Sequence, residues 1–133
     1  MNGRVAYLDT SAFVKLVIAE PESAALQRSL LRWPERASAT FLRTEAIRAL
    51  RRAGHDTSVG VARRLFGALH LVRLDEPLLD RAGDLTPPGL RSLDAVHLAA
   101  ALAIGPDLAV FLTYDERLGQ AAREAGLVVY SPS

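Results

Sequence analysis

The 133-residue chain is half apolar, carries a formal net charge of +1 and contains no cysteine. That length suits one domain over residues 1–133, burying about two-thirds of its unfolded surface. The apolar share excludes wholesale disorder, and the lack of cysteine excludes disulfides, thiolate metal sites and a Cys nucleophile.

Residues 4–8 form a short apolar run that reads as a first strand, with a helix over 11–19 behind it. A helix over 22–32 follows Pro21, a residue favoured at a first helical position. A strand near 37–39, helices over 41–53 and 58–69, and a strand over 71–74 come next. A helix over 77–84 leads to "LTPPGLRS" (85–92), which reads as a loop before a helix over 92–104. A strand over 108–112, a helix over 115–125 and a strand over 128–130 complete the chain. Gly54 and Gly126 follow the ends of two of these helices as left-handed stops. Short apolar strands alternating with helices predict an α/β fold, a parallel sheet covered on both faces.

The opening "MNGRVAYLDTS" meets an acid before any apolar core develops, so no secretory signal is expected. The greasiest uncharged stretch, 95–106, is twelve residues long, against the ~20 needed to cross a bilayer. A soluble, cytoplasmic chain away from membranes is the expectation.

The small net charge hides an asymmetry. Residues 26–73 carry ten arginines against Glu35, Glu45 and Asp56, a net +7, whereas four arginines face nine acids from Leu74 onward, a net −5. A basic half beside an acidic half suits a polyanion approaching a metal site. Solvated helix faces in an arginine-preferring genome read the same way, since Lys15 is the only lysine.

Ligands of open parallel sheets collect beyond the carboxyl ends of strands, where Asp9 and Asp115 stand. Each has a local explanation. Asp9 could cap the first helix, and Thr113 with Glu116 fits an S/T-x-x-E capping box that leaves Asp115 a first-turn acid. Asp94 opens a helix apolar on nearly every side, where a carboxylate needs a cation, donors or a raised pKa. His97, three residues on, shares its face and reads as a supporting or satisfied core histidine rather than a ligand. Glu45 flanks the stripe Leu42, Ala46, Ala49, Leu50 and Ala53, where Arg48 offers an ordinary surface pair. Together, four carboxylates brought to one sheet edge repel each other, and all-oxygen donors favour Mg²⁺ or Mn²⁺ over zinc. Such ions suit phosphodiester hydrolysis.

Four segments, "YLDTSAFVKL", "TEAIRAL", "LRSLDAVHLAAALA" and "FLTYDERLGQAAREAGL", resemble in order and spacing the PIN-domain family, and more closely its VapC-type toxins. The resemblance implies a three-layer α/β/α sandwich with a central parallel sheet of about five strands. It maps the family's catalytic and metal-holding acids onto Asp9, Glu45, Asp94 and Asp115, with Ser11 and Thr113 as supporting hydroxyls and Glu116 adjacent to share the task. It implies Mg²⁺- or Mn²⁺-dependent endoribonuclease cleavage by activated water, a homodimer, and silencing by a VapB-type antitoxin. Arg43, Arg48, Arg51, Arg52, Arg63 and Arg64 are read as contacts to the RNA backbone. Trp33 is read as packing before Pro34 rather than stacking on a base.

Three rivals stand beside this reading. A non-catalytic PIN-like module would keep the fold and merely bind RNA or a protein. A Mg²⁺-binding receiver domain wants an acidic pair at strand one and a late lysine, where this chain has Thr10, Ser11 and the single Lys15. A haloacid-dehalogenase-type phosphatase wants D-x-D where Ser11 holds the third place.

Overall fold

The computed structural model describes residues 3–133. Five parallel strands, β1 (Val5–Leu8), β2 (Glu35–Ala39), β3 (His70–Val72), β4 (Leu108–Leu112) and β5 (Val129–Tyr130), form one sheet in the order β3-β2-β1-β4-β5. The helices are α1 (Thr10–Val17), α2 (Ser23–Leu30), α3 (Leu42–Arg52), α4 (Val59–Phe66), α5 (Glu76–Asp84), α6 (Ser92–Ile104) and α7 (Glu116–Glu124), with 3₁₀ turns at Asp56–Ser58 and Gly105–Asp107.

Strand alternation sorts the core into two faces, since successive side chains point opposite ways. Ala6, Leu8, Val110 and Leu112 pack under Ala12, Leu26 and Leu30 of α1 and α2. Behind these, Phe13, Leu42, Ile47, Leu50 and Phe66 join α1, α3 and α4. Tyr7, Ala37, Ala39 and Phe111 face the other way, onto α5, α6 and α7. Helices therefore cover both faces of the sheet, giving the three layers expected.

The chain runs β1, β2, β3 outward on one side, then returns to lay β4 against β1 on the other. The direction of winding reverses between β1 and β4, and their carboxyl ends open a crevice there. Leu8 pairs with Leu112, so Asp9 and Thr113 leave the sheet at one level.

Local rules hold in several places. Gly54 and Gly126 have φ of 81° and 92°, and the amides of His55 and Leu127 reach back to Leu50 and Ala122 to close the helix ends. Trp33 packs against the core under α2. Pro21 does not begin a helix: α2 starts at Ser23, whose hydroxyl accepts from the Glu20 amide and donates to the Ile18 carbonyl, holding Pro21 in a turn. On α3, Ile47 replaces Ala49 and Ala53 in the buried stripe, because the helix packs on α4 as well as α1.

Candidate active site

Asp9 leaves β1 and caps α1: its Oδ1 accepts from the Ala12 amide at 2.9 Å and from the Ser11 hydroxyl at 2.7 Å. Its Oδ2 accepts from the Thr113 hydroxyl at 2.6 Å. Only 3 % of the residue is exposed. Burial pushes its carboxyl above the ordinary value, against the hydrogen bonds from Thr113, Ala12 and Ser11.

Thr113 leaves β4 on the adjacent strand. Its hydroxyl also accepts from the Asp115 amide at 3.0 Å, while Ser11 Oγ accepts from the Tyr114 amide at 2.9 Å. Ser11 and Thr113 thus sew the β1–α1 joint to the β4–α7 joint. The capping-box expectation at Thr113 is corrected here. Asp115 itself caps α7, accepting from Leu118 N at 2.9 Å, and Glu116 is the exposed first-turn acid. The helix starts two residues later than a Thr113 cap would need, and the Thr113 hydroxyl donates to Asp9 while accepting from the Asp115 amide.

Asp94, in the first turn of α6, is half-buried. Burial, then the charge of Asp115, pushes its carboxyl up, with a further contribution from Asp9. Arg91 Nε lies 4.0 Å from Oδ2 on a side chain 77 % exposed, so it offsets little of that repulsion. His97 does not bond to Asp94. It turns beneath the crevice, with Nδ1 2.7 Å from the Tyr7 hydroxyl and Nε2 3.0 Å from Oε1 of Glu45.

Glu45 is the residue whose surroundings differ most from expectation. Rather than pairing with Arg48, its Oε1 accepts from the Thr10 hydroxyl and from His97. Burial acts to raise its pKa, but the donors His97 and Thr10 outweigh it and hold the carboxyl below its usual range. Helix periodicity placed Glu45 on a flank. It could not show that α1 and α6 come over that flank.

Arg48, Arg51 and Arg52 line a depression with Asp56 at the far end of α3. Arg52 is close enough to act on the Glu45 charge. Arg43 lies over the Phe66 ring at 5.2 Å, and Arg63 and Arg64 are exposed on α4. A polar cleft of about 440 Å³ flanks Asp115 and is lined by Tyr114, Gln120, Arg123 and Ser131.

Among the described residues, no group of three or more His, Asp or Glu side chains is arranged to hold a metal ion as it stands. Asp9 accepts hydrogen bonds on both oxygens, and Glu45 accepts on Oε1. The donor set nevertheless suits a hard divalent cation. Its acids and hydroxyls are hard oxygen donors, and Asp94 bears a repulsion that a cation relieves.

The family model for the PIN domain matches residues 6–124. The chain belongs to the PIN-domain family. The PIN domain here is similar to Ribonuclease VapC46 of Mycobacterium tuberculosis, 46 % identical over 127 residues that cover 96 % of this chain and 97 % of that protein. It is 42 % identical to Ribonuclease VapC47 of the same species over 130 residues, covering 95 % and 96 % of the two chains. Among solved structures, Mycobacterium tuberculosis VapC20, described as a sarcin-ricin-loop-cleaving toxin, matches with a TM-score of 0.75 at 17 % identity, over 96 % of this PIN domain and 99 % of that chain. VapBC2 from Rickettsia felis, bound to a promoter DNA fragment, matches with a TM-score of 0.72 at 13 % identity, over 97 % and 99 %. These two likenesses establish the fold. The order β3-β2-β1-β4-β5 also removes the receiver reading, which requires β1 between β2 and β3.

Proposed function

We propose that this chain is the ribonuclease toxin of a VapBC-type pair, one PIN-like domain over residues 1–133 acting in the cytoplasm on RNA. The observation that supports the reading most is that Asp9 and Asp115 follow the adjacent strands β1 and β4, with Asp94 close enough to feel both charges, in a chain 46 % identical to a VapC ribonuclease.

Asp9, Asp94 and Asp115 are the residues that would hold Mg²⁺ or Mn²⁺, with Glu45 completing the quartet. When bound, the ion supplies Lewis-acid activation of water and offsets charge on the scissile phosphate. The chain's own residues do the rest. Ser11 and Thr113 fix the orientation of Asp9, and Asp115 is held at the mouth of the crevice by its own helix. Glu45, kept ionised by its two donors, is available to accept a proton from attacking water. Arg48, Arg51 and Arg52 receive the phosphate backbone, with Arg43 at the near end of α3, giving affinity without sequence choice. A VapB-type antitoxin is the partner, and the toxin works as a homodimer. No helix among the described residues is long and apolar enough to cross a membrane.

Incubation of the purified protein with total cellular RNA tests the reading. Discrete cleavage that requires Mg²⁺ or Mn²⁺ and is lost in Asp9→Asn is expected. RNA binding with no metal-dependent cleavage on any RNA would instead support the non-catalytic module.

A further inference from the structure

His97 is 2 % exposed, yet both its ring nitrogens are engaged. It enters a space bounded by Tyr7 on β1, Thr10 on α1 and Phe41 and Glu45 beside and on α3. The Phe41 ring lies tilted at 4.6 Å, and Tyr7 meets the imidazole edge-on at 5.7 Å, so packing holds the ring plane.

Counting hydrogens sets the direction of each bond. Ionised Glu45 only accepts, so the hydrogen between it and His97 belongs to Nε2. In the neutral ring Nδ1 is then an acceptor, and the Tyr7 hydroxyl donates to it. The result is a directed chain from Tyr7 O–H to Nδ1 and from Nε2–H to Oε1 of Glu45. Thr10, whose hydroxyl oxygen also lies 3.2 Å from Nε2, donates to the same oxygen, so among the described residues both bonds given to the carboxylate fall on Oε1 and none on Oε2.

We propose that Tyr7 and His97 are positioning residues for Glu45: the buried phenol selects the Nε2–H tautomer, and that N–H anchors Oε1, which leaves Oε2 as the working oxygen. The proposal rests on Glu45 belonging to the acidic quartet. It assigns Tyr7, which is fully buried and touches no substrate, an effect on turnover. A histidine that only fills a core would show no dependence on the Tyr7 oxygen.

Tyr7→Phe is the informative variant, because it deletes one oxygen and keeps the ring stacked on Phe111 at 5.3 Å. Long-range proton–nitrogen NMR of the metal-free protein should show His97 as the Nε2–H tautomer, and Tyr7→Phe should populate the Nδ1–H form. RNA cleavage by Tyr7→Phe should fall about tenfold in kcat with KM little changed. His97→Gln, whose amide nitrogen sits near the place of Nε2, should recover activity to within a few-fold of the wild type, whereas His97→Leu should not. An Nδ1–H tautomer in the wild type overturns the proposal. So does full kcat in Tyr7→Phe beside an inactive Glu45→Gln. Full activity in Glu45→Gln overturns the underlying assignment of Glu45 as well. Should His97→Leu fail to fold, the tautomer and Tyr7→Phe measurements still decide.

Discussion

Thr113 donates its hydroxyl to Oδ2 of Asp9 at 2.6 Å, across 104 residues of sequence and one pair of strands. This contact joins the two halves of the crevice, because the same hydroxyl accepts from the Asp115 amide. Three of its features, the register of β1 on β4, the burial of Asp9 and the turn into α7, depend on one another.

Thr113→Val keeps the shape and deletes the donor. It leaves a buried carboxylate oxygen and the Asp115 amide each short of a partner, a loss of about 1–3 kcal/mol in stability. Urea denaturation measures this as a lower midpoint at unchanged slope. Cleavage should fall with it, since Oδ2 of Asp9 then loses its donor while only Oδ1 stays anchored by Ser11 and Ala12.

Asp94→Asn should abolish most RNA cleavage, by about 100-fold or more, while raising the thermal midpoint of the metal-free protein at neutral pH. The sign follows from linkage. Burial and Asp115 raise the Asp94 pKa in the folded state, so the folded chain binds more protons than the unfolded one between the ordinary value and the raised one. The contribution of Asp94 to stability is therefore full below the ordinary carboxylate range and is lost as pH rises through the raised value. The gain from Asp94→Asn should shrink as pH is lowered through that window. Thermal scans of both proteins across acidic to neutral pH, without divalent ions, check it.

Replacing Arg51 and Arg52 together with Gln should weaken RNA binding and flatten its salt dependence, by a slope of about 0.7 for each lost contact to single-stranded phosphate. Metal affinity should change little, as both lie in the last turn of α3 and only Arg52 acts on an acid of the quartet, Glu45. Filter binding over a salt series reads the slope.

The sheet and the acids at its strand ends were legible because they are local signals. Short apolar runs, Gly54 and Gly126, and an Asp after each of two strands are written within a few residues of one another. The surroundings of Glu45 were not legible. Its partners Thr10 and His97 stand 35 residues before it and 52 after it, and only the packing of α1 and α6 over α3 brings them there. Thr113 misled for a related reason. A motif four residues long suggested a cap, but the helix is capped by Asp115, and the register between β1 and β4 turns the Thr113 hydroxyl to a buried, charged acceptor on the other strand. The strand order likewise follows from which sheet edge each helix can cover, and that is a property of the whole chain.

Single-turnover cleavage of a defined RNA across a Mn²⁺ titration tests the central claim most directly, with the wild type beside Asp9→Asn, Glu45→Gln, Asp94→Asn and Asp115→Asn. Cleavage should saturate with Mn²⁺ and fall at least about 100-fold in each variant. Cleavage that proceeds equally in chelator, or survives intact in all four variants, would contradict a cation-dependent acidic centre.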